Sequence, residues 1–123
     1  MKQLLLIFLG GGFGSVLRYL ISTQLNTSEN QLYTGTFLVN ILGCLLLGIL
    51  VGLSFKNSWF SNEITLLLGI GFCGGFTTFS TFGLESYTLL REGHFGMFLL
   101  YAGGSLVVGI LLVFFGIWLS RNF

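Results

Sequence analysis

Proline is absent from the 123 residues, charged residues make up only 7%, and a single histidine occurs. Each scarcity excludes something. A soluble domain carries roughly 25% charged residues, so this chain lacks the polar surface that keeps a fold dispersed in water. The net charge of +1 argues against nucleic-acid binding through counterion release, and no nucleic-acid partner is expected. The two cysteines, Cys44 and Cys73, stand in apolar runs with no CxxC or Cys/His cluster around them. Both read as inert buried thiols. No Ser/His/Asp set, carboxylate pair or metal cluster can be assembled, so the chain does not read as an enzyme, and the lone His94 receives no role.

What is abundant is apolar sequence, 54% of the chain, with 14 phenylalanines and 19 glycines. A spanning helix needs about 20 apolar residues. Four such runs lie at about Leu4–Thr23, Thr34–Phe55, Ile64–Leu90 and Met97–Ser120, joined by short polar connections at Gln24–Tyr33, Lys56–Glu63 and Arg91–Gly96. The expected fold is therefore all-α and integral to the membrane: one transmembrane domain over residues 1–123, its third helix broken near 74–78. Leu4–Leu9 after Lys2 imitates a signal-peptide core. The glycines and Arg18 that follow, with no cleavage site, make it the first span instead.

Four spans put both termini on one side, with Lys2, Lys56 and Arg121; Arg18 and Arg91 belong to the other. Three against two is a weak positive-inside bias. Insertion in both orientations is the favoured reading, and it permits an antiparallel dimer with a two-fold axis in the membrane plane. Small-xxx-small pairs at Gly10/Gly14, Gly48/Gly52, Gly71/Gly75 and Ser105/Gly109 predict close helix packing in lipid.

Gly69-Ile70-Gly71-Phe72-Cys73-Gly74 matches G-x-G-x-x-G, but the dinucleotide reading needs a soluble βαβ unit that a hydrophobic span does not offer. Gly74 to Phe82 is more informative. Two adjacent glycines and four hydroxyl residues in Thr77-Thr78-Phe79-Ser80-Thr81 are poor material for a lipid-facing helix. Non-helical backbone in a bilayer survives only inside protein or beside a wet cavity, where its free groups can hold ions. A kinked packing helix is the alternative. Phe79 and Phe82, three apart, share a helix face; turned edge-on their rings can favour an anion, and presenting their faces they favour a cation. Thr36 and Asn40 on the second span, like Tyr101 and Ser105 on the fourth, sit at i and i+4 and offer donors that can replace part of an ion's hydration shell. An interhelical hydrogen bond is the plainer reading of Asn40. Arg18, near the end of span one, can snorkel to a vestibule and attract anions or be purely structural, and Glu85 is expected near the other mouth.

Gly11-Gly12-x-Gly14-x-x-x-Arg18-Tyr19, Gly35-Thr36-x-x-Val39-Asn40 and Gly71 through Phe82 together resemble the CrcB/Fluc family of fluoride channels, over essentially the whole chain. The resemblance implies a dual-topology antiparallel dimer in the prokaryotic plasma membrane, passively exporting fluoride to relieve its toxicity. It implies a structural Na+ at the dimer centre, held by the main-chain carbonyls of Gly74 and Thr77. By the same likeness the fluoride pathway comprises Asn40, Phe79, Phe82, Ser80, Thr81, Tyr101 and Ser105, with Arg18 and Glu85 in the vestibules. Gly109 stands where some members carry a hydroxyl, and Ser15 where alanine is common. Membrane lipid and either an identical or a paired homologous subunit are the expected partners. Two alternatives remain at this point: half of a heterodimer inactive alone, and a small proton-coupled exporter, for which Glu85 is the one candidate carboxylate.

Overall fold

The computed structural model of the chain describes residues 1–26, 32–56 and 60–122. Parts of the connections expected at Gln24–Tyr33 and Lys56–Glu63 lie outside the described residues. Among those described, four helical spans are long and apolar enough to cross a bilayer: Lys2–Leu25, Thr34–Lys56, Asn62–Arg91 and Phe95–Asn122, called spans 1 to 4 below. They extend up to two residues beyond the bounds drawn from the apolar runs. The reason is that polar ends such as Lys2, Arg91 and Asn122 still complete helical turns. The link from span 3 to span 4 is a tight turn: Gly93 adopts φ 79°, and the N–H groups of Gly93 and His94 donate to Leu90 O and Leu89 O at 3.1 and 2.9 Å. Only glycine takes that left-handed position without steric cost.

Spans 1 and 3 run parallel and meet through glycine. A Cβ on Gly10 would collide with the Leu67 carbonyl, one on Gly14 with the Phe72 carbonyl, and one on Gly75 with the Gly11 carbonyl. Spans 2 and 4 form a second parallel pair. There Gly48 lies against Val113, Gly52 against Ile117 and Ser120, and Gly116 against the backbone of Leu45 and Ile49. Three of the four small-residue pairs thus sit at backbone-to-backbone contacts. The fourth is looser: a Cβ on Gly109 would stand 3.4 Å from Cys44 Sγ, an ordinary separation.

The interior is correspondingly thin. Its buried apolar side chains are Val39, Leu50, Cys73, Phe76, Leu89 and Tyr101, while Leu4, Phe8, Phe13, Leu99, Leu111 and Phe114 face outward. Water would punish that arrangement. Lipid does not, because its tails are as apolar as leucine and helices associate there by close packing. One feature carries no signature in the sequence: Thr65–Cys73, the approach to the break in span 3, is a π-helix. Its leucine-rich composition matches that of an ordinary α-helical span, although π-turns are rare and often adjoin functional sites.

A graded substitution tests the packing account. Gly48→Ala should lower stability by about 1–3 kcal/mol through overpacking, read as an earlier midpoint in thermal or detergent denaturation. Gly12→Ala, where nothing lies within 4 Å of the added Cβ, should leave the midpoint in place.

Candidate ion pathway

Span 3 is helical through Gly74–Phe76. It opens at two residues only, Thr77 (φ −87°, ψ 157°) and Thr78 (φ −148°, ψ 119°), before resuming as Phe79–Arg91. Gly74 and Gly75, expected inside a break near 74–78, are still helical, so the interruption is narrower than the glycines suggest. Its cause is the hydroxyl pair. Thr77 turns its own Oγ1 back to Cys73 O at 2.9 Å, and Thr78 caps the next helix, its Oγ1 accepting from Thr81 N–H at 3.2 Å.

Asn40 of span 2 completes the break. Its Oδ1 accepts from Thr78 N–H at 2.7 Å, and its Nδ2 donates to Thr78 O at 3.2 Å. One side-chain amide therefore pairs with both polar groups of one main-chain residue. In an unbroken helix the Thr78 N–H would bond Gly74 O; its diversion to Asn40 releases that carbonyl. The next carbonyl, Gly75 O, is taken by Arg18 Nε–H at 2.9 Å and approached by Ser15 Oγ at 3.4 Å. Arg18, read as a vestibule residue, thus turns one N–H inward to the severed helix end, where a cation suits the negative end of the helix dipole. Gly43 makes room from the opposite side, since a Cβ there would collide with the Thr77 methyl.

Beside the break a cavity of about 800 Å³ opens on the flank of the bundle, lined by Asn40, Gly74, Thr77, Thr78, Phe79, Phe82 and Ser105, with both cysteines in its wall. Phe79 is 83% exposed on it. The Phe79 and Phe82 rings lie 5.8 Å apart and tilted by 36°, and Phe82 in turn packs on Tyr101 at 5.2 Å. Ser105 Oγ is enclosed and has no partner among the described residues. Ser80 and Thr81 do not line the cavity themselves; they bond to Thr78 in its wall, whose Oγ1 lies 3.4 Å from Ser80 Oγ and donates to Thr81 Oγ1 at 3.0 Å. Their helix begins at Phe79, so its free N–H groups and dipole give the cavity an end that favours negative charge.

Tyr101 and Glu85 fall together elsewhere. The sequence placed the tyrosine in a polar track and the carboxylate near a mouth; in the structure the Tyr101 hydroxyl donates to Glu85 Oε2 at 2.6 Å. Glu85 is buried, and its Oε1 accepts from Thr36 Oγ1 at 2.7 Å. Asn26 joins them, donating to Thr36 Oγ1 at 2.9 Å. Reading the sequence gave Asn26 no part, because an asparagine ending a helix signals a cap and nothing more.

Asn40→Val keeps the bulk and removes both bonds to Thr78. Leaving such buried groups unpaired costs about 1–3 kcal/mol each, so the variant should unfold markedly earlier than the parent in the same denaturation assay.

The chain matches, over residues 5–117, the family described as CrcB-like protein, Camphor Resistance (CrcB). It is similar to a protein of Phocaeicola vulgatus named fluoride-specific ion channel FluC, 53% identical over 122 residues, which cover 98% of this chain and 100% of that one. Proteins of the same name from Leptospira interrogans and Azobacteroides pseudotrichonymphae are 43% and 40% identical, over 99% and 100% of this chain and 97% and 99% of their own lengths.

Proposed function

Since the chain belongs to the CrcB family, we infer that it is a fluoride-specific ion channel, not an enzyme, residing in the bacterial plasma membrane with several passes. Fluoride that enters as neutral HF leaves through it as the anion, down its electrochemical gradient. The observation that carries the reading is the cavity at the break, which gathers donors and ring edges without a carboxylate on its wall.

Fluoride is small and strongly hydrated, so a pathway must offer compact substitutes for water. Asn40 retains one N–H after pairing with Thr78. Ser105 has an uncommitted hydroxyl, and Ser80 and Thr81 stand at a helix start whose dipole favours an anion. Phe79 and Phe82 can turn positive ring edges to the ion. None of these is a fixed cation that would trap it. The proton-coupled alternative loses its support, because Glu85 is already engaged by Thr36 and Tyr101.

The cavity also motivates an assembly. Polar backbone beside open lipid would be costly, and a second copy inserted the other way up would cover it. The near-balance of Lys2, Lys56 and Arg121 against Arg18 and Arg91 is what dual insertion requires. Gly74 and Thr77 both border the cavity, and their main-chain oxygens would hold Na+ between the copies. Such an ion supplies positive charge among the carbonyls at the helix end.

Liposomes carrying the purified chain should release fluoride on dissipation of the membrane potential; absence of release sinks the channel reading and points to a partner chain only if co-expression restores it. Phe79→Ile and Phe82→Ile should each slow release at least about tenfold, the kinetic equivalent of one lost aromatic interaction, with dimers still recovered by cross-linking. Replacing Na+ throughout by a large organic cation should lower release as well. Unchanged release would remove sodium from the account.

A further inference from the structure

The polar cluster around Glu85 has a direction built into it, and the direction begins at Asn26. The backbone N–H groups of Gly35 and Thr36 at the start of span 2 can only donate. The Asn26 Oδ1 faces them, accepting at 2.7 and 3.4 Å. That settles which way the amide points, so its NH₂ must face Thr36 Oγ1 at 2.9 Å and Glu85 Oε1 at 3.4 Å. A threonine hydroxyl has one proton. With a lone pair already receiving from Asn26, Thr36 commits that proton to Glu85 Oε1 at 2.7 Å. The second oxygen, Oε2, accepts from Tyr101 at 2.6 Å.

The chain continues into the cavity. Tyr101, drawn to Glu85 by its hydroxyl, lays its ring against Phe82 at 5.2 Å, and Phe82 packs on Phe79. Four segments of chain thus converge on one carboxylate: the end of span 1, the start of span 2, the second half of span 3, and span 4. Crowding holds the first joint, because a Cβ on Gly35 would stand 2.9 Å from Asn26 Oδ1.

We propose that Asn26 is a positioning residue for conduction: by donating to Thr36 it orients the hydrogen bonds that converge on Glu85 from Thr36 and Tyr101, and so sets the Phe82 ring. Its role is to transmit the direction of the span 2 backbone; it does not touch the ion. The functional half of this proposal rests on the channel reading, while the hydrogen-bond direction does not.

Asn26→Asp separates the relay from a mere helix cap. The aspartate keeps an acceptor for Gly35 N–H, and a cap alone would be preserved or improved. It presents an acceptor where Thr36 needs a donor, so the threonine proton is pulled away from Glu85. Thr36→Val removes the relay hydroxyl directly. Each variant should slow fluoride release from liposomes at least about tenfold, the scale of one hydrogen bond to a charged group. The double variant should be no slower than the slower single one. Independent roles would multiply instead, to about a hundredfold, and that result overturns the proposal, as does a parental rate in Asn26→Asp. The Glu85 carboxylate infrared bands, isolated by subtracting the Glu85→Gln spectrum, give a readout separate from conduction. They should shift alike in Thr36→Val and in the double variant, and bands unmoved in both overturn the proposal. If Asn26→Asp fails to fold, Asn26→Asp combined with Glu85→Gln restores a donor facing an acceptor with the direction reversed. It should assemble and conduct slowly, and a parental rate refutes the relay. A parent chain that conducts no fluoride would defeat the channel reading, with the infrared test still deciding on the relay.

Discussion

A lipid bilayer offers no water to an unpaired peptide group, and the structure depends on how two residues escape that penalty. Thr77 and Thr78 leave helical geometry at the middle of a span, where each orphaned group costs several kcal/mol. Asn40 absorbs the cost by pairing with both polar groups of Thr78. Arg18 takes the carbonyl on the other side of the break. Without these two side chains the main-chain groups opened at the interruption would lose their partners.

Holding those side chains in place requires helices that approach closely, and lipid supplies no hydrophobic drive for it. Glycine does the work in two parallel pairs, spans 1 with 3 and 2 with 4. The first pair sets Arg18 against the break. The second fixes the wall that carries Asn40 beside Ser105. Few large apolar residues are fully buried, so the specificity of this small fold resides in its small and polar residues.

Phe79 illustrates how far position matters. Fourteen phenylalanines occur, and Phe8, Phe13, Phe55, Phe95, Phe114 and Phe115 stand exposed as generic apolar bulk. Phe79 and Phe82 differ because they open a half-helix that begins beside an amide and three hydroxyls. Their neighbour Tyr101 links them to the buried Glu85. The cavity at the break and the carboxylate cluster are therefore neighbours, joined through the Phe82 and Tyr101 rings.

Hydrophobic run length, glycine spacing and the hydroxyl-rich stretch after Gly74 were enough by themselves to establish four spans, their close packing and a break in the third. Those are properties of chain composition against a fixed bilayer thickness, and they need no partner to be stated. Three things were beyond them. The break is confined to Thr77 and Thr78 because the competing acceptors are Cys73 O and Asn40 Oδ1, the second 38 residues away. The π-helical turn over Thr65–Cys73 has no compositional mark. The union of Asn26, Thr36, Glu85 and Tyr101 joins the four spans, and a hydrogen bond between distant residues is decided by where packing brings donor and acceptor, not by what the chain is made of.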